Sequence, residues 1–171
     1  VFAGPGSPTY ALRQWAGTSV PDIVRGKMRT GGAVTFASAA ALTLGRYTVP
    51  VYEIYKVGDD PSWLEGLDVL GEIGLNVAVI PHYDNAEGGH HDTRFCYLGE
   101  HRLAMLEEQL PADAHVIGVD EHTGVILDLD SNTATVVGNS TITVRIKGRS
   151  TTHNAGDVIS IDALRDPATG A

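Results

Sequence analysis

Apolar and polar positions follow two different patterns along the chain, and the change between them falls near residue 115. Before it, apolar residues recur at helical spacing, which predicts helices over 8–15, from Ser19 to Met28, and over 98–110. Ser19 can cap the second of these helices, and two glycines that follow it supply a left-handed stop. The first part of the chain is therefore predicted to contain amphipathic helices packed against a core.

Short apolar runs separate these helices and predict buried strands over 33–37, 50–55 and 76–80. The runs are continuous and do not alternate with polar residues, which is typical of parallel strands covered on both faces. A short helix is predicted over 39–44, and apolar spacing favours another over about 61–70.

The segment after residue 115 consists of short apolar runs separated by Asp-Ser-Asn, Gly-Asn-Ser and Asn-Ala-Gly turns. The runs predict strands over 115–119, 124–129, 134–137, 141–146 and 157–161. Such closely spaced strands form an antiparallel meander.

The two patterns together predict a single α/β domain over residues 1–171, with a β-rich extension from about residue 124. No internal repeat, low-complexity tract or inter-domain linker interrupts the chain. Hydrophobic residues make up 43% of the chain and charged residues 19%, which provides enough apolar surface for a core and excludes a disordered protein.

Charge and cysteine content narrow the classes of partner. Twenty-one acidic residues against twelve basic ones give a net charge of −9, which disfavours binding to nucleic acids or to anionic membranes. Cys96 is the single cysteine and fits a reducing compartment. No apolar run approaches the roughly 20 residues of a membrane helix, and the first residues do not resemble a signal peptide. A cytoplasmic protein is expected.

Ser38 lies between the strand predicted over 33–37 and the helix predicted after it. A serine at such a turn is exposed above the sheet, and the neighbouring N–H groups can stabilise negative charge. The small residues that follow it allow a tight turn, but Phe36 and Ala40 stand where a nucleophile elbow usually has glycine. Helix capping is the alternative role of Ser38.

His82 follows the strand predicted over 76–80, at the sheet edge where open α/β folds bind ligands. It could act as a general base, or it could simply bond to the loop backbone. A metal site is a third alternative, but the spacing of its candidate ligands matches no recurrent zinc motif, so no metal is expected. Those ligands are His82, Asp84, His90, His91 and Asp92.

Glu121 follows the strand predicted over 115–119 and could orient the imidazole of His82. Alternatively, Asp120 and Glu121 are two solvated carboxylates of a turn. Ser38, His82 and Glu121 each end a predicted strand, so the three could meet along one edge of the sheet.

Four segments resemble the family of serine peptidases that contains aspartyl dipeptidase and cyanophycinase. Gly4–Thr9 corresponds to the family's glycine-rich turn, and Ala37–Ala41 is similar to its Ser-Ala-Gly-Ala nucleophile turn. Pro81–Asn85 resembles a Pro-His-Phe-Thr-Asn segment, and Gly118–Glu121 resembles a Gly-Ile-Asp-Glu run. The match extends over most of residues 1–146.

The resemblance implies a three-layer, mostly parallel sheet, flavodoxin-like and similar to class I glutamine amidotransferases, with antiparallel strands at the C-terminus. It implies Ser38 as nucleophile, His82 as base and Glu121 as acid, with the backbone N–H groups of Gly6 and Ala39 as oxyanion donors. Related domains have further βα units before the glycine-rich turn, so an N-terminally truncated domain is expected.

The expected function is that of a serine hydrolase, resembling a peptidase, which cleaves a small peptide or related amide through an acyl-enzyme and needs no cofactor. Glu53 is the alternative acid or a substrate contact, and Arg94 is a further candidate contact. The sequence is compatible with a monomer and with a homo-oligomer. The competing function is a catalytically silent binding domain, which the altered residues Phe36 and Ala40 favour.

Overall fold

The computed structural model describes residues 1–167. Its first half begins with β1 (Phe2–Ala3), α1 (Pro8–Trp15), α2 (Val20–Arg29) and β2 (Thr35–Phe36). Helix α1 starts where expected because the Ser7 hydroxyl accepts a hydrogen bond from the Tyr10 N–H at 3.2 Å and a proline occupies the first turn. Strand β1 pairs with β2 in parallel.

The main sheet of the described chain has six strands in the order β10-β9-β6-β5-β3-β4. These strands are β3 (Tyr47–Thr48), β4 (Leu64–Glu65), β5 (Val77–Ile80), β6 (His115–Val119), β9 (Thr141–Ile146) and β10 (Arg149–Asn154). Only β5 has parallel partners on both sides, namely β3 and β6. The sheet is therefore mixed and not mostly parallel as expected. Strand β9 pairs antiparallel with β6, and β10 pairs antiparallel with β9.

A second sheet of three antiparallel strands has the order β11-β8-β7. It contains β7 (Thr123–Asp128), β8 (Thr133–Gly138) and β11 (Val158–Ser160), and the short helix α5 (Ile161–Arg165) follows. The predicted meander is thus divided between two sheets. Strand β10 was missed from the sequence because its residues, Arg-Ser-Thr-Thr-His-Asn, contain no apolar side chain.

Two further predictions, both for the chain between residues 50 and 73, are wrong. Residues 51–57 are helical and not a strand, and most of this helix is the π-helix Glu53–Val57. Val51 and Ile54 are buried while Tyr52 and Tyr55 are exposed, a spacing that suits one buried helix face. The helix predicted over 61–70 is replaced by β4 and a later 3₁₀-helix at Leu70–Ile73.

Strand β5 is covered on both faces, as its continuous apolar pattern predicts. Ala78 and Ile80 pack with Leu103 and Leu106 of helix α4 (Gly99–Gln109) in one core cluster. On the other face, Val77 and Val79 belong to a second cluster that includes residues of β8, β9 and α5. One covering layer is therefore helical and the other contains a β-sheet, so the expected flavodoxin-like three-layer arrangement is not reproduced in full. Within residues 1–167, no helix is long and apolar enough to cross a membrane.

Candidate active site

Ser38 lies in a tight turn between β2 and a 3₁₀-helix at Ala41–Thr43, which is all that forms of the helix predicted over 39–44. Its φ of 53° is in the left-handed region that non-glycine residues rarely adopt. Hydrogen bonds across to β1 hold the turn: the Ala37 N–H donates to the Ala3 carbonyl at 2.9 Å, and the Ala40 N–H donates to the Gly4 carbonyl at 3.3 Å. The serine hydroxyl therefore has a fixed backbone beneath it.

The unusual neighbours of Ser38 are accommodated by packing. Phe36 is half-buried and meets the ring of Trp15 edge to face, with ring centroids 6.2 Å apart. Ala39 and Ala40 are buried. A large residue two positions before the serine is thus compatible with the tight turn.

His82 follows Pro81 at the end of β5 and also has a left-handed backbone, with φ 51°. Its carbonyl accepts hydrogen bonds from the N–H groups of Asn85, at 3.3 Å, and Cys96, at 3.0 Å. The loop that follows the histidine therefore folds back and fixes its backbone.

The segment α3 (Arg94–Tyr97) contributes to this fixation through an unusual backbone. Phe95, Cys96 and Tyr97 have φ values of 60°, 55° and 67°, a left-handed turn that costs roughly 1–2 kcal/mol per residue. The Phe95 N–H donates to the Tyr83 carbonyl at 2.8 Å, next to the bond from Cys96 to His82. Burial raises the pKa of the Cys96 thiol to about 12, so Cys96 stays protonated and is no nucleophile at neutral pH.

The two carboxylates after β6 have separate environments. Asp120 is buried and its Oδ2 accepts hydrogen bonds from the hydroxyls of Ser140, at 2.6 Å, and Thr141, at 2.7 Å. Glu121 is held at its backbone, where its N–H donates to Asp84 Oδ1 at 2.7 Å. Asp120 therefore anchors the start of β9, and only Glu121 faces the histidine.

The structure brings Ser38, His82 and Glu121 together in one chain of hydrogen bonds. Ser38 Oγ lies 2.9 Å from His82 Nε2, and His82 Nδ1 lies 3.0 Å from Glu121 Oε1. A carboxylate can only accept, so Nδ1 carries the proton and Nε2 is left to accept from the serine hydroxyl. The arrangement can withdraw a proton from Ser38.

The carboxylate of Glu121 favours its ionised form. A hydrogen bond from the Asn85 amide, and then one from His82, hold the pKa of Glu121 below its usual value. An ionised Glu121 fixes the histidine tautomer and favours an imidazolium when His82 takes up a proton.

Gly6 and Ala39 lie on the same cavity beside the Ser38 turn. The cavity has a volume of about 270 Å³ and is also lined by Tyr10 and Trp15 of α1. Within residues 1–167, neither the Gly6 N–H nor the Ala39 N–H donates a backbone hydrogen bond. Both N–H groups therefore have no backbone acceptor in the described part of the chain.

Within residues 1–167, neither of the two alternative residues forms a hydrogen bond with His82 or Glu121. In the described part of the chain, Glu53 makes no hydrogen bond to His82, and its buried Oε2 has no hydrogen-bond partner. Arg94 forms a bidentate pair with Asp92, with Nε to Oδ1 and Nη2 to Oδ2 both at 2.8 Å. That pair holds the pKa of the Asp92 carboxyl well below its usual range.

The candidate metal ligands do not converge. No group of three or more His, Cys, Asp or Glu side chains that could hold a metal ion occurs within residues 1–167. His90 and His91 are exposed on a loop, and the carboxylates of Asp84 and Asp92 bond to protein groups.

Comparisons with known proteins identify the fold. No family model matches the chain, and no curated protein matches it either. The chain is similar to the crystal structure of a peptidase from an acI-B1 Actinobacterium, with a TM-score of 0.69 and 22% sequence identity. The match covers 93% of this chain and 58% of that one, so the chain spans less than two thirds of the peptidase. The mixed α/β architecture is thus the fold found in that peptidase.

Asn85 is the site residue that the sequence reasoning missed. Its Nδ2 donates to Glu121 Oε1 at 3.1 Å. The available signal was its place in the Pro81–Asn85 segment, three residues after the histidine. An asparagine in a loop carries no periodic pattern, so only the folded loop reveals its partner.

Proposed function

We propose that this chain carries the catalytic centre of a serine hydrolase that cleaves a peptide or related amide bond through an acyl-enzyme. The observation that carries the proposal is the unbroken hydrogen-bond chain from Ser38 Oγ through both ring nitrogens of His82 to Glu121. A nucleophile next to a base, with the base oriented by a third group, is the arrangement that activates a serine.

In the first half of the reaction, Ser38 Oγ attacks the carbonyl carbon of the amide while its proton passes to His82 Nε2. The carbonyl oxygen becomes an oxyanion and accepts hydrogen bonds from the N–H groups of Gly6 and Ala39. The C–N bond then breaks, and His82 gives its proton to the leaving nitrogen. An ester between Ser38 and the acyl group is left.

Water completes the reaction by the same route in reverse. His82 takes a proton from water as the water oxygen adds to the acyl carbon. The bond between that carbon and Ser38 Oγ breaks, and the proton returns to the serine. Glu121 stays ionised throughout and stabilises the imidazolium that forms in each half.

The free amides support this assignment, because an oxyanion hole must be available before substrate arrives. Gly6 and Ala39 line one cavity, and neither N–H is used by the backbone of the described residues. The likeness to a peptidase fold is a second support. A small peptide or related amide is the substrate class that these features favour.

A fluorophosphonate probe tests the proposal, because an activated serine reacts with it covalently and an ordinary hydroxyl is almost inert. Labelling of the full chain should disappear in Ser38→Ala and slow on the order of 10⁴-fold or more in His82→Ala. Ser150→Ala and His101→Ala, at exposed positions, are the matched controls and should label like the parent.

The opposite result would favour a catalytically silent binding domain. If the folded full chain is not labelled, Ser38 is not activated and the altered turn around Phe36 and Ala40 is the physical reason to examine first. Labelling that survives in Ser38→Ala would place the reactive group elsewhere and overturn the assignment of Ser38.

A further inference from the structure

Asn85 is a buried polar residue inside the proposed site, with only 1% of its surface exposed. A buried amide is costly unless its donors and acceptors are used. The side chain of Asn85 meets this requirement: Nδ2 donates to Glu121 Oε1 at 3.1 Å, and Oδ1 accepts from the Glu87 N–H at 3.3 Å. The amide is therefore part of a defined network.

The orientation of the amide follows from its two partners. A carboxylate oxygen accepts only, and a backbone N–H donates only. The reverse orientation would point the Asn85 oxygen at Glu121 and its NH₂ group at the Glu87 N–H, which loses both bonds. The Asn85 NH₂ group therefore faces the carboxylate.

Glu121 Oε1 thus accepts two hydrogen bonds, one from Asn85 and one from His82 Nδ1 at 3.0 Å. A glutamate has several rotatable bonds, and this one is about one third exposed, with a side-chain exposure of 33%. A single hydrogen bond would leave the carboxylate several orientations. The second, from a donor that is itself buried, reduces the number of orientations further.

Asn85 also touches the other partner of the pair through its backbone. Its N–H donates to the His82 carbonyl at 3.3 Å, and its carbonyl accepts from the Thr93 hydroxyl at 3.3 Å. One residue therefore contacts both the base and the acid, and the loop up to Thr93 holds that residue in place.

We propose that Asn85 is a positioning residue that aligns the Glu121 carboxylate with His82. The inference rests on the proposed function, since it concerns the same serine, histidine and glutamate. The hydrogen bond from Asn85 is the main cause that lowers the pKa of Glu121 below its usual value, ahead of the hydrogen bond from His82. The titratable groups around Asn85 and Glu121 are His82, Asp84, Glu87, Cys96, Tyr97 and His122.

Asn85→Asp is the sharpest variant, because it keeps the size of the side chain and replaces the donor with a carboxylate. The fluorophosphonate labelling rate should fall about tenfold or more, since a misplaced catalytic group costs roughly 10²-fold at 1 Å. The added negative charge favours the protonated imidazole, so the pH at which the rate is half-maximal should rise.

Asn76→Asp is the matched control. Asn76 Nδ2 donates to Asp113 Oδ2 at 3.0 Å, so the same substitution breaks the same kind of amide–carboxylate bond away from the site. This control should keep the parent's rate and pH profile. A purely structural role for Asn85 would lower the amount of folded protein in Asn85→Ser, which adds no charge, without changing the labelling rate or the pH profile of what is folded.

Proton NMR gives a readout that does not need activity. The hydrogen-bonded Nδ1 proton of His82 should give a far-downfield resonance in the parent and in Asn76→Asp, and it should shift or disappear in Asn85→Asp. Asn85→Ser is the uncharged variant for both measurements, because serine is too short to reach Glu121. An effect seen in Asn85→Asp but absent in Asn85→Ser belongs to the added charge and overturns the positioning role.

The outcomes are distinct. A folded Asn85 variant with the parent's rate, pH profile and resonance overturns the positioning role. If the parent is not labelled but the resonance still responds to Asn85→Asp, the hydrolase proposal fails while the alignment by Asn85 stands. If the parent is labelled but neither the rate, the pH profile nor the resonance responds to the Asn85 substitutions, the hydrolase proposal stands and the positioning role of Asn85 fails.

Discussion

Two regions of the molecule use the same rare backbone conformation for different reasons. Ser38 and His82 at the site have φ values of 53° and 51°, and Asn132 and Lys147 in the C-terminal hairpins have φ values of 55° and 47°. In the hairpin between β9 and β10, Lys147 and Gly148 form a two-residue loop with positive φ at both positions, which suits the twist of the strands. There, the left-handed conformation is a local requirement of the turn.

At the site no hairpin requires it. The strained residues there are held by long-range hydrogen bonds, such as Ala40 to Gly4 and Cys96 to His82. Strain maintained by the surrounding structure is typical of functional sites. The difference indicates that the hairpins serve the fold, while the left-handed residues near the sheet edge aim side chains at one another.

The largest effect that would sharpen this comparison concerns the acid. Glu121→Gln should slow fluorophosphonate labelling by about 10³-fold, because the amide cannot stabilise the imidazolium as the carboxylate does. Glu53→Gln should leave the rate within about threefold, since Glu53 makes no hydrogen bond to His82 in the described chain. A larger loss of rate in Glu53→Gln than in Glu121→Gln would show that Glu53, and not Glu121, is the acid.

A second prediction compares strain at equal φ. Cys96 and Asn132 both have φ 55°, and a β-branched residue fits that region poorly. Cys96→Val and Asn132→Val should each lower the free energy of unfolding by about 1–3 kcal/mol, measured by chemical denaturation. Only Cys96→Val should also slow labelling, by about tenfold, because the Cys96 N–H holds the His82 carbonyl.

Glycine provides the control for that comparison. Cys96→Gly accepts a left-handed backbone without strain, so it should label at close to the parent's rate even if lost packing lowers its stability. Equal labelling rates in Cys96→Val and Asn132→Val would show that the left-handed turn at Phe95–Tyr97 does not aim His82.

The smallest expected effect is in the acid limb of stability. The pKa of Glu121 is lower in the folded protein than the ordinary value for a glutamate, mainly through the hydrogen bond from Asn85. The ionised Glu121 therefore contributes fully to the free energy of unfolding above about pH 4.5. This contribution is lost as the pH falls through the lower pKa that Glu121 has in the folded protein. Unfolding free energies of Glu121→Gln and the parent should diverge in slope only on the acid side of that pH. Identical slopes there would contradict the assignment of the hydrogen bonds to Glu121.

Local pattern was sufficient for the elements whose apolar residues recur at helical spacing or form a continuous buried run. The spacing of apolar residues predicted α1, α2 and α4, and the strands β5 and β6 were expected within a residue of their ends. Because parallel strand ends share one edge of a sheet, the order of elements also indicated that His82 and Glu121 would be neighbours.

The sequence by itself therefore determined the main helices, the buried strands β5 and β6 and the chemistry available at the ends of those strands, since helical spacing and continuous apolar runs can both be recognised along the chain. Tertiary structure alone decided that β9 joins the main sheet, that residues 53–57 are helical, and that Asn85 meets Glu121. Those outcomes depend on contacts between residues distant in sequence, such as 36 positions for Asn85 and Glu121, and such contacts leave no local period.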